Sequence, residues 1–138
     1  MMPLVRIAAV AVCLIASVAQ SSSATVEDTI TRWYAMLVAA NEEGLAKALS
    51  DDAVIKLGDI GKVQTKAEFL GMLGEWRIAI AGGGIRHKVE KTAGDLSTVL
   101  ACYDFAENDI LMRETFRING GLITENTQTR VGEDCDAY

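Results

Sequence analysis

Histidine, proline and cysteine are scarce in this chain of 138 residues, which holds one, one and three of them. A single histidine leaves little scope for a metal centre. His87 with Glu114 and Glu125 would be a sparse ligand set, and no metal is expected. Positive charge is also short, with 13 Lys and Arg against 19 Asp and Glu. No basic stripe offsets that balance, so an acidic surface argues against nucleic acid as a partner. Dinucleotide and P-loop glycine signatures, the H-E-x-x-H pair and the G-x-S-x-G elbow are all missing, and no cofactor is expected. Gly82-Gly83-Gly84 follows a helical pattern and reads as its stop rather than as a phosphate cradle.

Long apolar runs are lacking too. The longest, Ile7 to Ala19, has 13 residues, short of the roughly 18 that a membrane helix needs. Arg6 before it and the small residues Gln20-Ser-Ser-Ser-Ala24 after it make residues 1–24 a predicted export signal, cut after Ala24 or, as the runner-up, after Ala19. The expected mature chain, 25–138, is one domain without a membrane segment, exported to a periplasm or the exterior. Removing Arg6 leaves 12 basic against 19 acidic side chains, a net charge of −7. The only proline, Pro3, goes with the signal. Cys102 and Cys135 remain. In an oxidising compartment they could pair, stay free, or link two subunits through Cys102.

What is present falls into helices first and strands afterwards. Thr25-x-x-Asp28 opens a helix with Val26, Ile30, Trp33, Tyr34 and Leu37 at helical spacing. Asn41 caps a short second helix ending near Leu49. Two short strands, 53–58 and 62–64, flank a glycine-containing turn. The capping box Thr65-Lys-Ala-Glu68 then opens a third helix carrying Phe69, Met72, Leu73, Trp76 and Ile80. Beyond the glycines, runs at 85–92, 96–106, 109–118 and 121–131 predict a four-strand antiparallel meander. The fold class is α+β, with N-terminal helices packed on a curved, mostly antiparallel sheet.

Two-residue turns at Glu107-Asn108 and Asn119-Gly120 would place 101 opposite 114 and 114 opposite 125. One face then collects Val89, Val99, Tyr103, Met112, Phe116 and Ile123, and looks at the helices. Across that apolar face runs the row His87, Ala101, Glu114, Glu125. Ionisable groups inside an apolar sheet either satisfy one another in the core or serve as catalytic groups with displaced pKa values. The opposite face carries Lys88, Arg113, Arg117, Asn126 and Arg130, with Leu100 and Leu111 as apolar exceptions that could contact a second copy.

Three segments carry a family resemblance: Trp33-Tyr-Ala-Met-Leu37, Ala48-Leu-Ser-Asp-Asp-Ala-Val54 and Thr115-Phe-Arg-Ile-Asn-Gly120. Together they resemble the nuclear transport factor 2-like superfamily, the cone-shaped α+β fold that includes ketosteroid isomerases and SnoaL-type polyketide cyclases. The resemblance implies that Tyr34 matches the isomerases' oxyanion tyrosine and Glu114 their second, protonated carboxyl donor. The general base has no counterpart, because Leu57 stands in its place; Asp59 shares its strand parity but falls in the turn. His87 or Glu125 could take that role in a different reaction. Two functions follow. One is a pocket for an apolar molecule bearing a carbonyl, with isomerase-, dehydratase- or cyclase-like proton transfer through Tyr34, Glu114, His87 and Glu125. The other is a non-catalytic binding module or a dimeric one, joined through the outer sheet face.

Overall fold

The Thr25 side chain accepts the backbone N–H of Asp28, whose carboxylate accepts that of Thr25, and this capping box opens helix α1, Val26–Val38. Its buried stripe is Thr29, Ile30, Trp33, Tyr34 and Leu37. Asn41 caps α2, Glu42–Ala48, by accepting from Gly44. In the computed structural model, which describes residues 24–138, these helices lead into strand β1, Leu49–Leu57, a 3₁₀ turn at Gly58–Ile60 and strand β2, Lys62–Thr65. The proposed signal segment, 1–24, lies almost wholly outside the described residues.

A second capping box, Thr65 with Glu68, opens α3, Lys66–Gly71. The single helix expected here is two. Gly71 and Gly74 flank a turn at Met72, and α4 follows as Leu73–Ile80; two glycines this close weaken a helix by about 1 kcal/mol each. Gly83 then passes so close to the carbonyl of Asp104 that no β-carbon would fit. The glycine triplet is therefore a close approach of backbones as well as a helix stop.

Strands β3 (Gly84–Ala93), β4 (Leu96–Asp104), β5 (Asp109–Asn119) and β6 (Leu122–Gly132) form the expected meander. The sheet has six strands in the order β2-β1-β6-β5-β4-β3, with β1 parallel to β6 and every other pair antiparallel. The helices lie on its concave face. Trp33 stacks on Phe69 at 5.5 Å between ring centres, and Tyr34 meets Phe116 edge-on at 5.9 Å.

The register differs from expectation at two hairpins. His87 does stand opposite Ala101. Between β4 and β5, however, Asp104 pairs with Asp109 across a four-residue loop, so Ala101 faces Met112 and Glu114 faces Val99. That is a shift of two, which keeps faces and moves levels. Between β5 and β6 the turn is Gly120-Gly121, both at positive φ, as a mirror-image hairpin turn requires. A bulge adds Thr124 to β6, so Glu125 pairs with Arg117, Asn126 with Phe116 and Gln128 with Glu114. The net change is three residues and reverses the face of β6 from Glu125 onward, while Ile123 stays inside. The row His87, Ala101, Glu114, Glu125 does not form.

On the convex face Cys102 and Cys135 are joined in a disulfide, with 5.7 Å between their Cα atoms. The C-terminal tail it anchors covers Leu100 and Leu111, which are 5% and 3% exposed, with Tyr138 packed against them. Tyr138 in turn lies 4.7 Å below both the Arg86 guanidinium and the Lys88 ammonium. The two leucines are thus covered by the chain's own tail and supply no patch for a second copy.

Candidate functional site

Glu114 is the only carboxylate among the fully buried side chains of the described residues. Strand β5 places it on the concave face between Val99 and Gln128. The Tyr103 hydroxyl donates to its Oε1. The Asn126 amide donates to Oε2 at 3.0 Å, and the Gln128 amide donates to Asn126 Oδ1 at 2.8 Å. Burial pushes the Glu114 carboxyl up to about 7, although its bonds to Tyr103 and Asn126 pull the other way. Burial, then the Glu114 charge, drives the Tyr103 phenol well above its ordinary range.

Tyr34 and Glu114 lie near one another. The Tyr34 hydroxyl is buried and close enough to Glu114 to be raised by its charge, after desolvation, yet it meets no partner at regular hydrogen-bond geometry. Of the other two candidates, His87 touches Tyr34 and only Glu125 lies elsewhere. His87 stacks on the Tyr34 ring at 4.7 Å, with its Nε2 3.2 Å from Thr31 Oγ1. Burial lowers its pKa, partly offset by Glu27. Glu125 points to the convex side and pairs with Lys56 at 3.1 Å. Asp59 accepts the Arg130 backbone N–H in the turn.

Beside the Tyr103–Glu114 pair is a cavity of about 150 Å³. Leu37, Ile55, Leu57, Phe69, Met72, Leu73 and Trp76 form its apolar wall, and Gln64, Tyr103 and Gln128 its polar side. Leu57, which the resemblance sets at the isomerases' base position, is part of that wall. Neither Tyr34, Glu114, His87 nor Glu125 lines it. Trp76 is held by its indole N–H, which donates to the Leu37 carbonyl at 2.7 Å and ties α4 to the end of α1. Gln64 is 1% exposed and its Oε1 has no partner.

Tyr103, Asn126, Gln128 and Gln64 were not among the residues singled out from sequence. Tyr103 reads as one more apolar-face residue. Asn126 falls on the wet face in the expected register, and only the Thr124 bulge turns it inward. Gln64, in a four-residue strand, carries no local signal. Among the described residues the one three-residue cluster of metal-ligating type is Cys102, Asp109 and Cys135, whose two sulfurs are bonded to each other.

No protein-family model and no curated protein matches the sequence. Solved structures do match the fold. A protein of Catenulispora acidiphila with a ketosteroid isomerase-like fold, in complex with trimethylamine, is 20% identical at a TM-score of 0.61, over 76% of this chain and 86% of that one. IdmH, a candidate polyketide cyclase of Streptomyces antibioticus, is 19% identical at 0.62, over 75% and 90%. An NTF2-like protein of unknown function from Burkholderia xenovorans is 11% identical at 0.65, over 79% and 83%. Identities this low speak to architecture rather than chemistry. Helices on the concave side of an open six-strand sheet, with these neighbours, give the chain the fold of the nuclear transport factor 2-like superfamily.

Proposed function

We propose that the mature chain is an exported protein that holds a small, largely apolar molecule inside the cone. The observation that carries this is the cavity of about 150 Å³, apolar on most sides and edged by a few polar groups beside Glu114. A void of that size takes a benzene-sized molecule when its walls are aliphatic and aromatic. Small-molecule sites have this general composition.

Binding is favoured over turnover by the wall itself. None of its ten side chains is a carboxylate or an imidazole, so a proton-abstracting base has no direct reach to a bound molecule. Isomerase-, dehydratase- or cyclase-like proton transfer would have to pass through Tyr103 to Glu114. Toluene at saturating concentration is expected to raise the melting temperature of the parent. In Leu57→Trp, where an indole occupies the space, the effect should shrink at least severalfold. A parent whose melting temperature no benzene-sized molecule shifts would overturn the reading.

Export is supported by the signal pattern of residues 1–24 and by a disulfide suited to an oxidising compartment. Cleavage after Ala24 also leaves Thr25 at the new terminus, with its nitrogen 3.1 Å from Asp28 Oδ2. N-terminal sequencing of the exported form is expected to begin at Thr25, with Gln20 as the alternative start. Recovery of an uncleaved cytosolic protein would exclude export.

A further inference from the structure

The polar edge of the cavity is lopsided in its hydrogen bonding. The Trp76 N–H donates to the Leu37 carbonyl. The Tyr103 O–H donates to Glu114, and an N–H of Gln128 to Asn126. An N–H of Gln64 turns to the Met72 sulfur, a weak acceptor placed there by the break between α3 and α4. The indole and phenol donors and one N–H of each amide are thus engaged within the protein. What is left over is an acceptor, the Gln64 Oε1, buried and without a partner.

An unpaired amide carbonyl in an apolar wall is costly, and a leucine or methionine of similar size would fill the place without that cost. Gln64 pairs with Ile55 across β1–β2, so its side chain shares the concave face with the apolar wall. The backbone holds the amide at the cavity, and nothing among the described residues completes it.

We propose that the cavity selects molecules that donate a hydrogen bond, and that Gln64 sets this preference by accepting it. The ligand class is a small apolar ring bearing an N–H or O–H, such as an arylamine or a ring alcohol. This rests on the pocket reading above and inverts the carbonyl ligand expected from sequence. A bare carbonyl could meet only the second N–H of an amide and would leave the Gln64 Oε1 unpaired.

Three probes of similar size separate the alternatives at pH 7: toluene, which neither donates nor accepts; aniline, which donates; and benzonitrile, which only accepts. Titration calorimetry on the parent is expected to show aniline bound about fivefold to tenfold more tightly than toluene, the range of one neutral hydrogen bond. Benzonitrile should bind no better than toluene. In Gln64→Leu the advantage of aniline should vanish while toluene still binds, and the melting temperature of the free protein should rise by a few degrees. If Gln64→Leu fails to fold, Gln64→Met removes the amide while keeping the length of the side chain. Benzonitrile binding more tightly than aniline, or an aniline advantage that survives both substitutions, would overturn the assignment and leave the pocket standing. Failure of all three probes to bind the parent would overturn the pocket reading, and this inference with it.

Discussion

Relative to Glu114→Gln, the parent is expected to lose about 2.5 kcal/mol of stability between pH 5 and 8. The carboxyl ionises at an ordinary value near 4.5 when unfolded and at about 7 when folded. Between those values the folded state binds more protons than the unfolded one, so stability falls as pH rises and levels off above 7. A neutral amide has no such dependence, and its oxygen can still accept from Tyr103. His87 works in the opposite sense. Its folded pKa is lowered by burial, so its contribution is lost as pH falls below about 6.5. Comparing parent and variant at each pH cancels that common background. Urea unfolding at pH 5, 6, 7 and 8 gives the two profiles, and parallel slopes would show that Glu114 is not the titrating group.

Cutting the Cys102–Cys135 link should be as severe. The bond joins residues 33 apart in sequence, and closing a loop of that length restricts the unfolded chain by about 3–4 kcal/mol. It also holds the tail over Leu100 and Leu111. The double variant Cys102→Ala, Cys135→Ala is expected to melt about 10 °C or more below the parent, and the reduced parent should behave similarly. Intact mass before and after reduction, with thiol alkylation, separates the intrachain bond from its rivals. A monomer whose cysteines both alkylate without reductant has no bond to lose. A dimer split by reduction would place the link between subunits.

Local signals carried most of the architecture. The Thr25 and Thr65 capping boxes, the Asn41 cap and the glycine punctuation each act over a few residues and are legible in a single chain. The α+β class followed from them and from the family resemblance. The contents of the cavity did not, because they depend on register, and register turned on two small choices. The Asn119-Gly120 pair is a strong turn signal, but Gly121 beside it is a better second residue for a turn needing two positive φ values. Thr124 then adds the bulge that puts Asn126 inside and Glu125 outside. Nothing in composition marks Thr124 as the extra residue. Tyr103 keeps its face in either register; the longer loop at 105–108 sets it opposite Ile110, four residues along β4 from the Val99–Glu114 pair, and its long side chain reaches back to the carboxylate.

The parallel contact of β1 with β6 bears on how the chain can fold. The first long strand, Leu49–Leu57, has the last, Leu122–Gly132, as its neighbour on one side and only the four-residue β2 on the other. During synthesis β1 therefore waits more than sixty residues for its principal partner. Contacts so distant in sequence slow the search for the native state, and a chain shortened before residue 122 would expose an unpaired strand edge in the middle of the sheet. Folding should accordingly be an event of the completed chain, with β1 joining last, and a refolding experiment on C-terminally truncated chains would show loss of the whole fold rather than of its final strand.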